Sequence, residues 1–219
     1  MNVEKLFHAS SSPAGHGITI GTPRLYDLTA PLFFFGTRRR SYRILMAAAG
    51  IKAGDRVLDV GCGPGYFVRM ISRAVGPSGS AVGVDAAEEM VGYARERTRN
   101  VSNCSFEAGG AEALPFAEAS FDVVVSSLMM HHLPDDLRQA AVLEMRRVLR
   151  PGGTLLLADF TIPKRGIWHV MAAISGHASG RMIQRVSPLE PLISAGGFRE
   201  MNSGEAPPWL QFVRATNPG

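Results

Sequence analysis

Val57-Leu58-Asp59-Val60-Gly61-Cys62-Gly63-Pro64-Gly65 is a short apolar run that ends in three alternating glycines. The next apolar residues, Phe67, Met70, Ile71, Ala74 and Val75, fall on one face of a helix, so the segment reads strand, turn, helix: half of a βαβ unit. Glycine allows tight backbone torsions and close approach of a ligand, and the helix N-terminus behind the turn offers unpaired N–H groups and a positive dipole end. The spacing is G-x-G-x-G, with the last glycine two residues after the second, whereas the dinucleotide fingerprint G-x-G-x-x-G places it three after. That spacing, together with the lack of an obvious Tyr-x-x-x-Lys pair, argues against a nicotinamide oxidoreductase.

Outward from the turn, strand and helix patterns alternate. Ala81 to Val84 reads as a strand ending at Asp85, 88–99 as a helix, 121–125 as a strand, 137–149 as a helix and 154–158 as a strand. Pro151-Gly152-Gly153 reads as the stop of the preceding helix and Gly196-Gly197 as the stop of a helix over 189–195, with two last strands near 199–203 and 210–215. Strands separated by helices imply an α/β chain with a parallel sheet covered on both faces. Asp85, about twenty residues beyond the glycine turn, stands where an acidic side chain accepts both ribose hydroxyls of the turn's ligand; a plain helix cap is the competing reading.

The flanks differ from this core. Residues 1–22 are rich in Ser, Gly and Pro and read as an arm or late-ordering lid. Residues 24–35 and 38–49 read as two helical pieces broken near Gly36, apolar on one side and basic on the other. Residues 160–187 fit no strand slot, and Trp168, Val170, Met171 and Ile174 among polar neighbours suggest an inserted cap. The expected organisation is an arm with lid helices over 1–50 and one domain over 51–219 that carries the cap.

Composition bounds the reading. A chain of 219 residues, 46% hydrophobic and 19% charged, can bury one large core. Cys62 and Cys104 make no disulfide framework and lack zinc-site spacing, so a reducing cytoplasm and no metal are expected. The start of the chain has no continuous apolar leader, and no run reaches the roughly 20 apolar residues of a membrane span. Counted by segment, the net charge is +5 over 1–56, −4 over 57–159 and +3 over 160–219. Such flanks suit an anionic acceptor or an acidic lipid surface, or are simply a solvated arginine-rich face, and lack the dense basic stripe of a nucleic-acid binder.

Five landmarks, in order, carry a family resemblance: VLDVGCGPG (57–65), VGVD (82–85), EALPF (112–116) with FDVVVSS (121–127), MMHHLPD (129–135) and RVLRPGGTLLLAD (147–159). In these the chain resembles the class I S-adenosylmethionine (SAM)-dependent methyltransferases, in the broad group that includes the ubiquinone and menaquinone biosynthesis methyltransferases. The resemblance implies a doubly wound, Rossmann-like sheet of seven mostly parallel strands. It implies SAM as cofactor and S-adenosylhomocysteine as product. Asp59, Gly61 and Gly63 would hold the amino and carboxylate ends of the methionine part, Asp85 the ribose, and Met90 the adenine face. Cys62, Gly65, Ala86, Gly110, Ala111, Glu112 and Ser126 complete the implied cofactor site. By pattern alone Met90 is an ordinary core methionine and Cys62 a small packing residue. The family often has an acidic residue ahead of the Ala-Glu pair; this chain has Gly110 there, which points to adenine being read by backbone groups near Ala111.

His131 and His132 follow the fourth strand of the series at the carboxyl edge of the sheet, and histidine suits proton transfer near neutral pH. His132 is the first candidate for a general base and His131 the second; the competing role for either is to order the loop. Tyr26 is a third candidate, as a tyrosine the lid brings close or as a latch on the lid. No Asn-Pro-Pro-aromatic element follows Ser126-Ser127-Leu128-Met129, so a nucleic-acid amine is disfavoured as acceptor. The expected acceptor is a small apolar or amphipathic molecule, quinone-, polyketide- or lipid-like, methylated at O, N or C beneath residues such as Phe33, Phe34, Phe35, Trp168 and Met171. Those residues also suit a homodimer interface or peripheral membrane contact through 33–40. A SAM-binding, non-methylating enzyme and a non-catalytic partner protein are the alternatives.

Overall fold

The apolar runs of the central strands are long because the sheet they form is buried on both faces. A computed structural model describes residues 9–11, 18–20, 23, 34, 36–160 and 188–219. Its elements are β1 (Ala9–Ser11), β2 (Ile18–Ile20), α1 (Arg38–Ala49), β3 (Arg56–Val60), α2 (Tyr66–Val75), β4 (Ser80–Asp85), α3 (Glu88–Thr98), β5 (Cys104–Ala108), β6 (Phe121–Ser127), a 3₁₀ turn (Met130–His132), α4 (Asp135–Val148), β7 (Leu149–Phe160), α5 (Leu189–Ala195), β8 (Arg199–Ala206) and β9 (Leu210–Thr216). Seven strands form one sheet in the order β5-β4-β3-β6-β7-β9-β8, parallel except for β9, which runs antiparallel to both β7 and β8. β1 and β2 pair as a separate antiparallel ribbon inside the segment expected to be an irregular arm.

Side chains alternate between the two faces of the sheet. Leu58, Val124, Leu155 and Leu157 meet α4 and α5 through Val142, Met145 and Ile193. Val57, Val123, Val125 and Leu156 meet α1, α2 and α3 through Leu45, Phe67, Ile71 and Val91. The helix termini match their dipole: Asp135 and Asp136 open α4, and Arg146 and Arg147 close it. α1 is a core helix rather than a detached lid, with Tyr42, Leu45 and Ala49 buried and the Ser41 hydroxyl donating to the Pro207 carbonyl in the β8–β9 turn.

Three expectations need correction. β5 falls in no expected strand, because only Phe106 of its five residues is buried and an edge strand of that composition has no apolar alternation to read. Pro151-Gly152-Gly153 does not merely stop a helix. It lies within β7, which begins at Leu149 opposite Phe121 and continues after a bulge, with Gly152 N–H and Gly153 O bonded to Asn217. Arg38 does not join the basic side of α1: it is buried, while Arg39, Arg40 and Arg43 are exposed. The first expected lid helix, apart from Phe34, and the cap from 161 to 187 lie outside the described residues, as does Tyr26. Among the described residues no helix is long and apolar enough to cross a membrane.

Gly65 shows how the turn is coupled to the edge of the sheet. It takes φ +75° at the N-cap of α2, and a Cβ there would lie 2.6 Å from two ring atoms of Phe106. Gly65→Ala therefore combines left-handed strain with overpacking, and is expected to lower unfolding free energy by about 2–3 kcal/mol in urea titrations.

Candidate functional site

In an open parallel sheet, ligands bind beyond the carboxyl ends of the strands where the winding reverses, which here is between β3 and β6. A cleft of about 1020 Å³, counting its open mouth, lies at that point. Its floor is the glycine turn after β3. Gly61 N–H and Cys62 N–H both bond Val84 O, at 2.8 and 3.0 Å, which folds the turn over the end of β4. Gly61 takes φ +76°, and a Cβ there would lie 2.6 Å from Met129 Cβ, so the turn and the β6 loop close on each other only through glycine.

Asp59 and Asp85 face this floor from neighbouring strand ends. The Asp85 carboxylate accepts Gly63 N–H at 2.8 Å and Ala87 N–H at 2.9 Å, bracing the turn and the start of α3 together. Burial pushes its pKa up against the pull of those two hydrogen bonds. Asp59 is 2% exposed, and its carboxyl makes no hydrogen bond among the described residues. Burial, reinforced by the charge of Asp85, raises its pKa to about 8. At neutral pH a carboxyl so buried keeps its proton, and a cation placed beside it would favour the ionised form. The Cys62 thiol is held protonated by burial and then by the two acids, which suits packing and not nucleophilic chemistry.

The opposite wall comes from the loop after β6. Leu128 takes φ +61°, uncommon for a branched residue, and its N–H is held by Ala158 O at 2.9 Å. The chain then enters the 3₁₀ turn, which two buried groups pin from behind. Asp159 accepts His131 N–H at 3.1 Å and shares a 2.7 Å bond with His131 Nδ1; Arg138 Nε donates to Met130 O and Leu133 O. His132 alone of the pair reaches the cleft wall, its ring 4.1 Å from that of His131. Burial first, and the neighbouring His131 second, lower the His132 pKa to about 4, so its imidazole is neutral at pH 7.

Of the residues singled out in the sequence, Asp59, Gly61, Cys62, Gly63, Asp85, Ala86, Met90, Gly110, Ala111, Glu112 and His132 come together on the cleft wall. Gly65, Ser126 and His131 do not line it. Gly65 leaves room for Phe106, Ser126 is buried in β6 with its hydroxyl unpaired among the described residues, and His131 stands behind His132. Sequence reasoning missed the aromatic corner of the cleft, Tyr42, Tyr66 and Phe67, with Arg38 set into it. The Arg38 guanidinium lies 3.9 Å from the centre of the Tyr66 ring. An arginine at the start of a helix has no local pattern that marks it as facing inward, although three in a row do show that a cation belongs in that segment. Among the described residues no cluster of side chains can hold a metal ion.

Residues 57–153 match a family model described as a methyltransferase domain. The chain is 38% identical over 141 residues to a ubiquinone/menaquinone biosynthesis C-methyltransferase of Pasteurella multocida, covering 63% of this chain and 52% of that protein. It is 31% identical over 159 residues to a demethylmenaquinone methyltransferase of Staphylococcus aureus, covering 73% and 65%. The matches thus span about half of the first relative and somewhat under two thirds of the second. A solved SAM-dependent methyltransferase from Aquifex aeolicus shares the fold, with a TM-score of 0.71 at 22% identity over 89% of this chain and 98% of that one.

Proposed function

We propose that this chain, which belongs to the class I SAM-dependent methyltransferases, methylates an apolar or amphipathic small molecule whose proton is already acidic. The observation that carries the cofactor half of the reading is the pair of carboxyls on either side of the glycine turn, Asp59 buried and Asp85 half-buried. Asp85 accepts the ribose hydroxyls on its remaining lone pairs, and Asp59 takes the ligand's α-ammonium as the cation it lacks. Asp85 and Glu112 would repel a ligand carboxylate, and among the described residues Arg38 is the permanent cation on the lining; it stands on the side suited to the methionine carboxylate.

SAM supplies a methyl group already activated on its sulfonium, so the protein has to align the acceptor and, where needed, remove its proton. His132 stands on the wall for that second task, between the glycine turn and Leu133. A histidine with a pKa of about 4 is a weak base. It suits a phenol, an enol or an enolisable ring carbon and not an alcohol. Quinone- and polyketide-like acceptors have such protons, and the relatives' quinone-biosynthesis names point the same way.

Titration calorimetry with S-adenosylhomocysteine tests the cofactor half. The expected result is micromolar binding by the wild type, weakened at least tenfold in Asp85→Ala. No binding by a folded wild type would overturn the reading.

A further inference from the structure

We infer that the outer face of α1 docks on an anionic lipid surface and brings the mouth of the cleft against it, so that the acceptor enters from the bilayer. The inference rests on the apolar-acceptor reading above and adds the surface from which that acceptor comes. Arg39, Arg40 and Arg43 are exposed on α1 and make no ion pair among the described residues. Neither α1 nor α2 contains an acid, and α2 adds Arg69 and Arg73. Between Gly36 and Gly83 the acids are Asp55 and Asp59, 6% and 2% exposed, so neither offsets the cations at the surface. Tyr42 of α1 stacks on Phe67 of α2 with ring centroids 4.4 Å apart, which holds the two helices side by side.

α3 and α4 open on acids and close on arginines, as the helix dipole favours. α1 does the reverse: it opens on Arg38, Arg39 and Arg40, with no acid in its first turn and no side-chain cap. Those cations oppose the dipole, and a negatively charged surface laid against them would offset that cost. The position of the face points the same way. α1 starts at the cleft, whose wall includes Arg38 and Tyr42, so Arg39 and Arg40 stand at its mouth. A lipid leaflet suits exposed arginines with the half-buried Ile44 and Met46 beside them. A single-stranded nucleic acid would also ask for exposed rings to stack on, and Tyr42, the aromatic residue of α1, is buried. Phe34, which the sequence placed in a membrane contact, is buried as well and takes no part. Each arginine near an anionic leaflet strengthens binding about fivefold, so three supply on the order of 100-fold, enough for a reversible, salt-sensitive contact.

Sedimentation with vesicles tests this, using phosphatidylcholine alone and phosphatidylcholine mixed with phosphatidylglycerol in equal amounts. The wild type is expected to bind the anionic vesicles at least tenfold more tightly than the neutral ones, and to leave them in about 0.5 M salt. Arg39→Gln, Arg40→Gln and Arg43→Gln combined should lose most of that difference, with a melting temperature no lower than that of the wild type, because the replaced charges oppose the dipole. Arg97→Gln, Arg99→Gln and Arg199→Gln combined remove the same charge from the far end of the sheet, where α3 ends and β8 starts level with Thr154. That variant should bind as the wild type does. Equal loss in the two triple variants would reduce the attraction to net charge and overturn the docking face, as would binding to a short duplex DNA as tight as to the anionic vesicles. S-adenosylhomocysteine affinity and methylation of a detergent-solubilised phenol should be the same in all three proteins. A wild type that shows both and ignores the vesicles would overturn the docking face and leave the proposed function intact. One that binds the vesicles through these arginines but methylates only water-soluble acceptors would overturn the acceptor reading, and with it entry from the bilayer.

Discussion

Asp59→Asn is expected to stabilise the fold and disable the cofactor site in the same protein. The Asp59 carboxyl titrates near its ordinary value, about 3.8, when unfolded and at about 8 when folded. The folded state therefore keeps a proton that the unfolded chain has released, and stability falls as pH rises from about 4 to about 8. Asparagine has the same shape and no charge to bury, so the gain should be near zero below pH 4, grow through that window and level off above pH 8. At pH 9 a rise in melting temperature of at least ~5 °C is expected by calorimetric scan. Cofactor affinity should move the other way. An ammonium left without its carboxylate loses a charge-assisted hydrogen bond, for a weakening on the order of 100-fold. Wild-type affinity should also increase with pH between 6 and 8, as Asp59 is freed of its proton, and this dependence should vanish in Asp59→Asn. A variant that is no more stable at pH 9 and binds as the wild type does would show that Asp59 is neither strained nor used.

If His132 is the base proposed above, His132→Ala is expected to lower kcat by about 10²–10⁴ against a phenolic acceptor, with the KM for SAM within threefold of wild type, because a base acts on the acceptor and does not anchor the cofactor. The wild-type profile should show its acid limb near pH 4 and be flat with respect to His132 from about pH 5.5 to 8, since the imidazole is already deprotonated there. Single-turnover assays keep product release from masking the change. A loss under tenfold would leave His132 as a wall residue, with alignment alone driving transfer.

The site depends on contacts that no local pattern contains. His131 and His132 are adjacent and identical in type, and both were candidates for proton transfer. The difference between them comes from Asp159, 28 residues away at the end of β7, which holds His131 by both its N–H and its ring and leaves its neighbour on the wall. Ser126 and Ser127 differ for the simpler reason that successive strand residues point to opposite sides, and only Ser127 lines the cleft. β5 escaped notice because at an edge a single buried residue, Phe106, suffices to seat a strand through backbone pairing.

The sequence by itself determined the alternation of strand and helix, the glycine turn after β3 and the acid at the end of β4. Apolar periodicity, glycine torsions and the two-residue period of strands act over a few neighbouring positions, and all are written locally. Only the tertiary structure decided that Arg38 turns into an aromatic corner, that Asp59 is buried beside Asp85 with its proton retained, and that the Glu112 carboxylate lies over Gly110. Each depends on the surroundings that other segments provide: burial sets the charge state, and the vacant volume beside a glycine sets the rotamer. Those quantities exist only once the chain is packed.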